Sequence, residues 1–243
     1  MKTLFVKEIK DFFNSITGYL VVITYLIINS MCMWIFKGNL NIFDIGFANL
    51  DTLFTISPWI FLFLVPAITM NMFSGEFKSG TMELLLTRPI SEFKIVLAKY
   101  LATLILVLIA LFPTLFFIFS INFLAAPIGN VDFGALTGSY IGLFFLAASY
   151  SAIGLFSSSL TKNTIISFIL SILVCFFFFL GFYFISMLDF TGKVANFINF
   201  IGINMHYNSI SRGVIDTRDV IYFFSVTAIF IFLTKLRLES RKW

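Results

Sequence analysis

The chain has 243 residues, of which 60% are hydrophobic and 12% are charged, and its mean hydropathy is +1.02. A water-soluble domain of this length needs a charged surface over its core, and 16 Lys and Arg with 12 Asp and Glu (net charge +4) are too few to supply one. The composition therefore excludes a soluble globular protein and indicates a protein whose main solvent is lipid.

Residues 1–15 predict a helix that lies in the membrane interface. Five apolar residues fall on one helical face, whereas the charged residues point elsewhere. The apolar residues are Leu4, Phe5, Ile9, Phe12 and Phe13. The alternative is a frayed polar tail, which has no reason to keep such a stripe. No small-residue cleavage site follows the first apolar run, so we expect that run to be kept as an anchor rather than removed as a signal peptide.

Six apolar runs are long enough to cross the hydrocarbon core of a bilayer, which takes about 20 residues of helix. The runs cover Tyr19–Phe36, Ile56–Phe73, Ile95–Leu124, Ala135–Ser158, Thr164–Met187 and Val220–Lys235. They lack the alternation of barrel strands, so we predict an all-α polytopic membrane protein, with residues 1–243 as one transmembrane domain. Pro113 predicts a kink in the third run.

The positions of Lys and Arg predict the orientation of the chain. Twelve of them lie in the N-terminal segment, in the connections after the second and fourth runs, and in the C-terminal tail. The opposite side has four: Lys37, Lys193, Arg212 and Arg218. Because basic connections stay in the cytoplasm, we expect both termini and residues 74–94 to be cytoplasmic and residues 188–218 to be external.

Residues 74–94, with the sequence SGEFKSGTMELLLTRPISEFK, form the most densely charged stretch. Between Gly80 and Pro89 they predict about two turns of amphipathic helix, which is too short to be stable alone. Its apolar side therefore needs a partner, unless the stretch is an ordinary loop resting on the membrane surface. Ser91 is a candidate N-cap for the third spanning helix, with Glu92 in its first turn.

Residues 188–218 are far longer than a usual connection, and their apolar stretch is too short and too interrupted to span. We predict short re-entrant or interfacial helices here, with Asp216 and Thr217 capping the last span. The candidate site residues of this external segment are His206, Arg212 and Asp216.

Little else in the sequence points to chemistry. His206 with Ser209 or Ser211 could in principle serve a hydrolase, although a lone histidine among polar loop residues is more often structural. Signatures of zinc sites and P-loops are absent from the sequence, so we expect no metal, no cofactor and no nucleotide site. Ionisable side chains are missing from the middle of the runs, with Lys99 and Lys235 near their ends, which disfavours an ion-driven pump.

The stretch GEFKSGTMELLLTRPIS, residues 75–91, resembles the E-x-x-x-G-T-x-E-x-L-L-x-x-P-I-S segment of the ABC-2 type permease family. In that family the segment is the coupling helix, which docks in a groove of a separate ATPase subunit. The resemblance assigns this role to Glu76, Gly80, Thr81, Glu83, Leu84, Leu85, Pro89, Ile90 and Ser91, and we add the neighbouring Arg88.

The resemblance covers nearly the whole chain and is closest to the permease subunit associated with bacterial gliding motility, on the stretch from His206 to Phe223. It implies a multi-pass protein of the bacterial inner membrane. Its implied partners are an ATP-binding-cassette ATPase, a second permease copy or a homologous permease, membrane lipid and an auxiliary membrane or periplasmic subunit, but no nucleic acid. Two other hypotheses stay open: a membrane-embedded enzyme using His206, and a scaffold that anchors a gliding or secretion machine.

Overall fold

The computed structural model describes residues 1–87, 90–188 and 192–240, and these residues form helices and connections without a β-strand. The helices in chain order are α1 (Lys2–Phe13), α2 (Ile16–Trp34), α3 (Ile42–Ile45), α4 (Asp51–Ser79), α5 (Thr81–Leu86), α6 (Glu92–Leu111), α7 (Leu115–Leu124), α8 (Phe133–Leu160), α9 (Thr164–Phe176), α10 (Phe182–Ser186), α11 (Gly192–Ile201), α12 (Ile203–Ile210) and α13 (Thr217–Glu239).

Six helical stretches are long and apolar enough to cross a membrane: α2, α4, α6–α7, α8, α9–α10 and α13. The prediction of an all-α fold with six spans is therefore confirmed. The third span changes to a 3₁₀ turn at Phe112–Thr114, around Pro113, where a kink was predicted. The fifth contains a π-helical turn, Phe177–Gly181, which nothing in the sequence had indicated.

The second span, α4, is much longer than predicted. Its 29 residues extend about 43 Å and reach Ser79, so residues 74–79, which we had assigned to a cytoplasmic connection, continue the helix. It ends only at Gly80, whose φ of +72° is left-handed backbone that favours glycine. Pro66 lies inside the helix, and the Thr69 hydroxyl donates to the carbonyls of Val65 and Pro66 beside it.

The fourth span, α8, lies at the centre of the bundle. In its most apolar stretch 78% of the residues are buried, although its mean hydropathy is the lowest of the six spans. It contacts α4, α9 and α13 closely because it carries small residues: a Cβ on Gly154 would lie 2.2 Å from Thr69 Oγ1. The Ser158 hydroxyl also accepts from the amide of Phe73 and donates to the carbonyl of Met70.

The shorter helices flank the two ends of this bundle. Helix α1 is amphipathic, with Leu4 and Glu8 buried, and packs against α6 and α2. At the other end α11 and α12 occupy the segment in which short helices were predicted, and Asp216 Oδ1 caps α13 by accepting from the Arg218 amide. Ser91 does stand at the N-cap of α6, but its hydroxyl makes no capping hydrogen bond with the described residues.

Candidate coupling site

The two-turn helix predicted between Gly80 and Pro89 is α5, which follows α4 after the single left-handed residue Gly80. Its apolar residues divide between two directions. Met82 is buried in the bundle and Leu85 packs half-buried against it, whereas Leu84 points outward with 68% of its surface exposed. Glu83 is also exposed, on the same short helix. Among the residues of α5 whose side chains the structure describes, Leu84 and Glu83 are therefore available to a partner.

Beside α5 lies a buried group of charges that ties three helices together. The ammonium of Lys99, on α6, is completely buried and lies 2.6 Å from Glu8 Oε1 on α1 and 3.1 Å from Glu76 Oε1 on α4. It also donates to the carbonyl of Met72, at 2.7 Å. Lys7 adds a second ammonium, 3.0 Å from Glu76 Oε1. We call Lys7, Glu8, Glu76 and Lys99 the charge cluster.

The charge cluster bears on two expectations from the sequence. Lys99 was expected near the end of an apolar run; it is the eighth residue of α6, near the start of the third span, and lies fully inside the protein. Glu76 was assigned to contact with an ATPase; its carboxylate is nearly buried and is bonded to Lys7 and Lys99 within the chain. Burial lowers the pKa of Lys7 and pairing with Glu76 raises it, and the net result is a raised pKa, so Lys7 stays charged at neutral pH.

A cleft of about 320 Å³ opens between α1 and α5, on the outer side of the charge cluster. It is lined by Thr3, Leu4, Lys7, Glu76, Thr81, Leu84, Leu85 and Ile90. The cleft therefore combines apolar side chains with the Lys7–Glu76 ion pair. Such a surface suits a protein partner that inserts an apolar side chain surrounded by polar groups. The contribution of α1 to this surface was not foreseen from the sequence.

The other residues predicted to couple lie around this groove. Gly80 and Thr81 are exposed at the turn between α4 and α5, where the Thr81 hydroxyl lies 2.9 Å from that of Ser79. Ile90 is half-buried and Ser91 is exposed. Arg88 and Pro89 lie outside the described residues.

A family model for ABC-2 family transporter proteins matches residues 5–242, which is nearly the whole chain. The chain belongs to the ABC-2 family. Members are membrane permeases of ABC transporters without their own ATPase, and a separate subunit hydrolyses ATP. The family also implies an ATPase partner and assembly of permeases as homodimers or heterodimers. No curated protein matches the chain.

At the other end of this ABC-2 permease, the three candidate site residues predicted within the segment 188–218 do not form one site. His206 is buried, with Nδ1 2.6 Å from Asp219 Oδ1 and Nε2 2.8 Å from the carbonyl of Phe200. Asp216 caps α13, and Arg212 is exposed, on the rim of a cleft of about 500 Å³.

The arrangement around His206 does not provide the relay of a hydrolase. Both ring nitrogens face oxygen acceptors, neither of which belongs to Ser209 or Ser211. In the part of the chain that the structure describes, no group of three His, Cys, Asp or Glu residues could hold a metal ion. Asp219, the residue that pairs with His206, was missed because the sequence places it in the first turn of a spanning helix.

Proposed function

We propose that this chain is the membrane half of an ABC exporter and that α5, together with α1, docks in a groove of its ATPase. The observation that carries the proposal is the outward-pointing Leu84, on a two-turn helix that its own bundle covers on one side only. An exposed apolar side chain next to a half-apolar cleft is what a partner surface needs in order to hold the helix. Recovery of an ATPase with the chain from detergent-solubilised membranes is the experiment that tests it.

The connections of α5 suggest how movement of the ATPase would reach the membrane. One residue, Gly80, separates α5 from α4, and α4 runs about 43 Å without a break. The charge cluster joins the end of α4 to α1 and α6, so a push on α5 would act on three helices together. Such a rigid-body shift of packed helices is one of the ordinary ways in which a transporter changes state.

The proposal includes a topology with both termini and α5 in the cytoplasm of the bacterial inner membrane. We expect an impermeant thiol reagent to label Lys193→Cys from outside intact cells and to label Lys78→Cys only after the cells are opened. Both lysines are exposed, so the pair is matched in accessibility, and a background without Cys32 and Cys175 removes other thiols. Labelling of Lys78→Cys from outside would reverse the topology.

We also propose that two permease chains, identical or homologous, act together, because one six-helix half encloses no pathway alone. We expect native mass spectrometry of the active complex to count two permease chains and two ATPase subunits. An active complex that holds a single permease chain contradicts this part of the proposal.

Within the family, we propose that the permease serves export linked to gliding motility or secretion, with an auxiliary membrane or periplasmic subunit. The stretch from His206 to Phe223, which resembles the gliding-associated subgroup, supports this assignment. The test compares surface spreading of the host with that of a strain in which the gene is deleted. Equal spreading of the two strains would contradict the link to gliding but not the assignment as an ABC permease.

A further inference from the structure

The buried histidine at the end of the bundle opposite α5 has an unusual set of partners. Its ring joins three helices: His206 belongs to α12, the Phe200 carbonyl to α11 and Asp219 to α13. Tyr222, one turn after Asp219, stacks on the imidazole with ring centroids 3.8 Å apart and planes 18° apart. Its hydroxyl donates to the carbonyl of Ile201, the last residue of α11.

The two hydrogen bonds determine how many protons the ring must carry. A backbone carbonyl can only accept, so Nε2 must carry a hydrogen to bond to Phe200 at 2.8 Å. An ionised carboxylate also only accepts, so Nδ1 must carry a hydrogen to bond to Asp219 at 2.6 Å. A neutral imidazole carries only one N–H hydrogen, so it cannot donate from both Nδ1 and Nε2. Only the imidazolium satisfies both acceptors while Asp219 stays ionised.

The surroundings favour the imidazolium over the alternative, a neutral ring beside a protonated Asp219. The face of Tyr222 lies against the ring, where the aromatic quadrupole attracts a cation. Among the described residues, His206 is the side chain that reaches Asp219, through the Nδ1–Oδ1 contact, so an ionised Asp219 has its counter-charge in the imidazolium.

Among the described residues, the other titratable side chains that the contacts place around the pair are phenols. Besides Tyr222, these are Tyr207 on α12, whose hydroxyl donates to the Phe54 carbonyl, and Tyr150 on α8. The side that faces α11 contributes Phe200 and its carbonyl. Asp216 and Arg218, at the start of α13, are exposed. The charge at this site is therefore decided between His206 and Asp219.

We propose that His206 and Asp219 form a proton-binding site that fastens helices α11 and α12 to the last spanning helix. With the proton bound, the ring bridges α11 and α13 through two hydrogen bonds. Loss of the proton leaves one nitrogen facing an acceptor without a hydrogen, so one of the two bonds breaks and the attachment of α11 and α12 loosens. This inference does not depend on the identity of the ATPase or of the cargo.

His206 is the single histidine in the chain, so ¹⁵N-histidine labelling gives the ring signals of this site alone. The full-length protein, purified in nanodiscs with an affinity tag that contains no histidine, would be measured at about pH 7.5, where a free imidazole is mostly neutral. We expect hydrogens on both ring nitrogens in the native protein and on one in Asp219→Asn. Asp219→Glu should restore the second hydrogen. A ring with one hydrogen in the native protein overturns the proposal.

Hydrogen–deuterium exchange tests the mechanical half of the proposal. Exchange rates of the amides in α11 and α12 would be normalised to those of α8 and corrected for the intrinsic pH dependence of exchange. We expect the corrected rates to be about tenfold higher or more at about pH 9.5 than at about pH 6, which is the effect of losing a charged hydrogen bond. His206→Gln should exchange equally at both values. The matched control is Asp216→Asn, which removes an exposed carboxylate from the same helix end and should keep the pH response. An unchanged ratio in the native protein contradicts the fastening role.

Discussion

We expect replacement of Leu84 by aspartate to release the ATPase from the solubilised permease while the six spans stay folded. Leu84 is 68% exposed, so its substitution disturbs little of the permease's own packing. Burying one leucine in a partner contributes about 1.5–3 kcal/mol, or about 10- to 150-fold in affinity, and the new carboxylate would have to be desolvated in an apolar groove. The measurement is the amount of ATPase recovered with tagged permease, together with the thermal stability of each variant.

Two variants separate this contact from general effects. Leu40→Asp makes the same replacement at a leucine that is 41% exposed after the far end of α2, and it should retain the ATPase. Glu83→Ala should also leave the complex assembled, because an exposed ion pair contributes about 0–1 kcal/mol, although it can loosen the link between ATP turnover and movement. If Leu84→Asp holds a full complement of ATPase, α5 is not the coupling helix.

Replacing Lys99 by methionine destabilises the protein strongly and frees α1. Methionine keeps most of the length of the side chain, so the change removes a charge rather than volume. Glu8, which is buried, then loses its partner at 2.6 Å and keeps only the Lys7 ammonium at 4.0 Å, whereas Glu76 keeps Lys7 at 3.0 Å. Breaking a buried pair from one side typically costs about 3–5 kcal/mol. We expect earlier thermal unfolding in detergent and proteolytic cleavage near α1 at protease levels that leave the native protein intact.

A second substitution within the charge cluster provides the control for Lys99→Met. In the double variant Lys99→Met with Glu8→Gln, the buried carboxylate that lost its close partner is gone, so most of the lost stability should return. Lys94→Met changes an exposed lysine on the same helix and should shift stability by no more than about 0.5 kcal/mol. A Lys99→Met protein as stable as the native one would mean that the cluster does not hold α1 in place.

The six spans could be predicted because length and hydrophobicity alone determine which stretches can cross a bilayer. Their ends were less predictable. Gly75 and the charges around it suggested that the second span stops near Phe73, yet α4 continues to Ser79. The continuation depends on tertiary contacts that the local sequence does not contain. Lys7 and Lys99 hold Glu76, and Ser158 of α8 contacts the backbone of α4 at Phe73 and Ser74.

The coupling segment was found because its residues follow one another in the sequence. The charge cluster was missed because its parts are distant: Lys99 is 91 positions from Glu8, and no local pattern pairs them. The same reason applies to His206, whose partner Asp219 belongs to a different helix. Glu8, Glu76 and Lys99 carried one usable signal, because two carboxylates and a lysine require partners if any of them is buried in the bundle.

The central position of α8 has a consequence for how the protein is made. Its surface of glycine, serine and alanine, which lets the neighbouring helices approach closely, also makes it the least hydrophobic span. Lipid alone retains such a helix weakly, so it gains most from meeting α4, which is synthesised before it. The span α9–α10, by contrast, is strongly apolar with few buried residues and can enter the bilayer unaided. We therefore expect α8 to be retained in the bilayer more fully when α4 has already been inserted than when α8 is expressed without it.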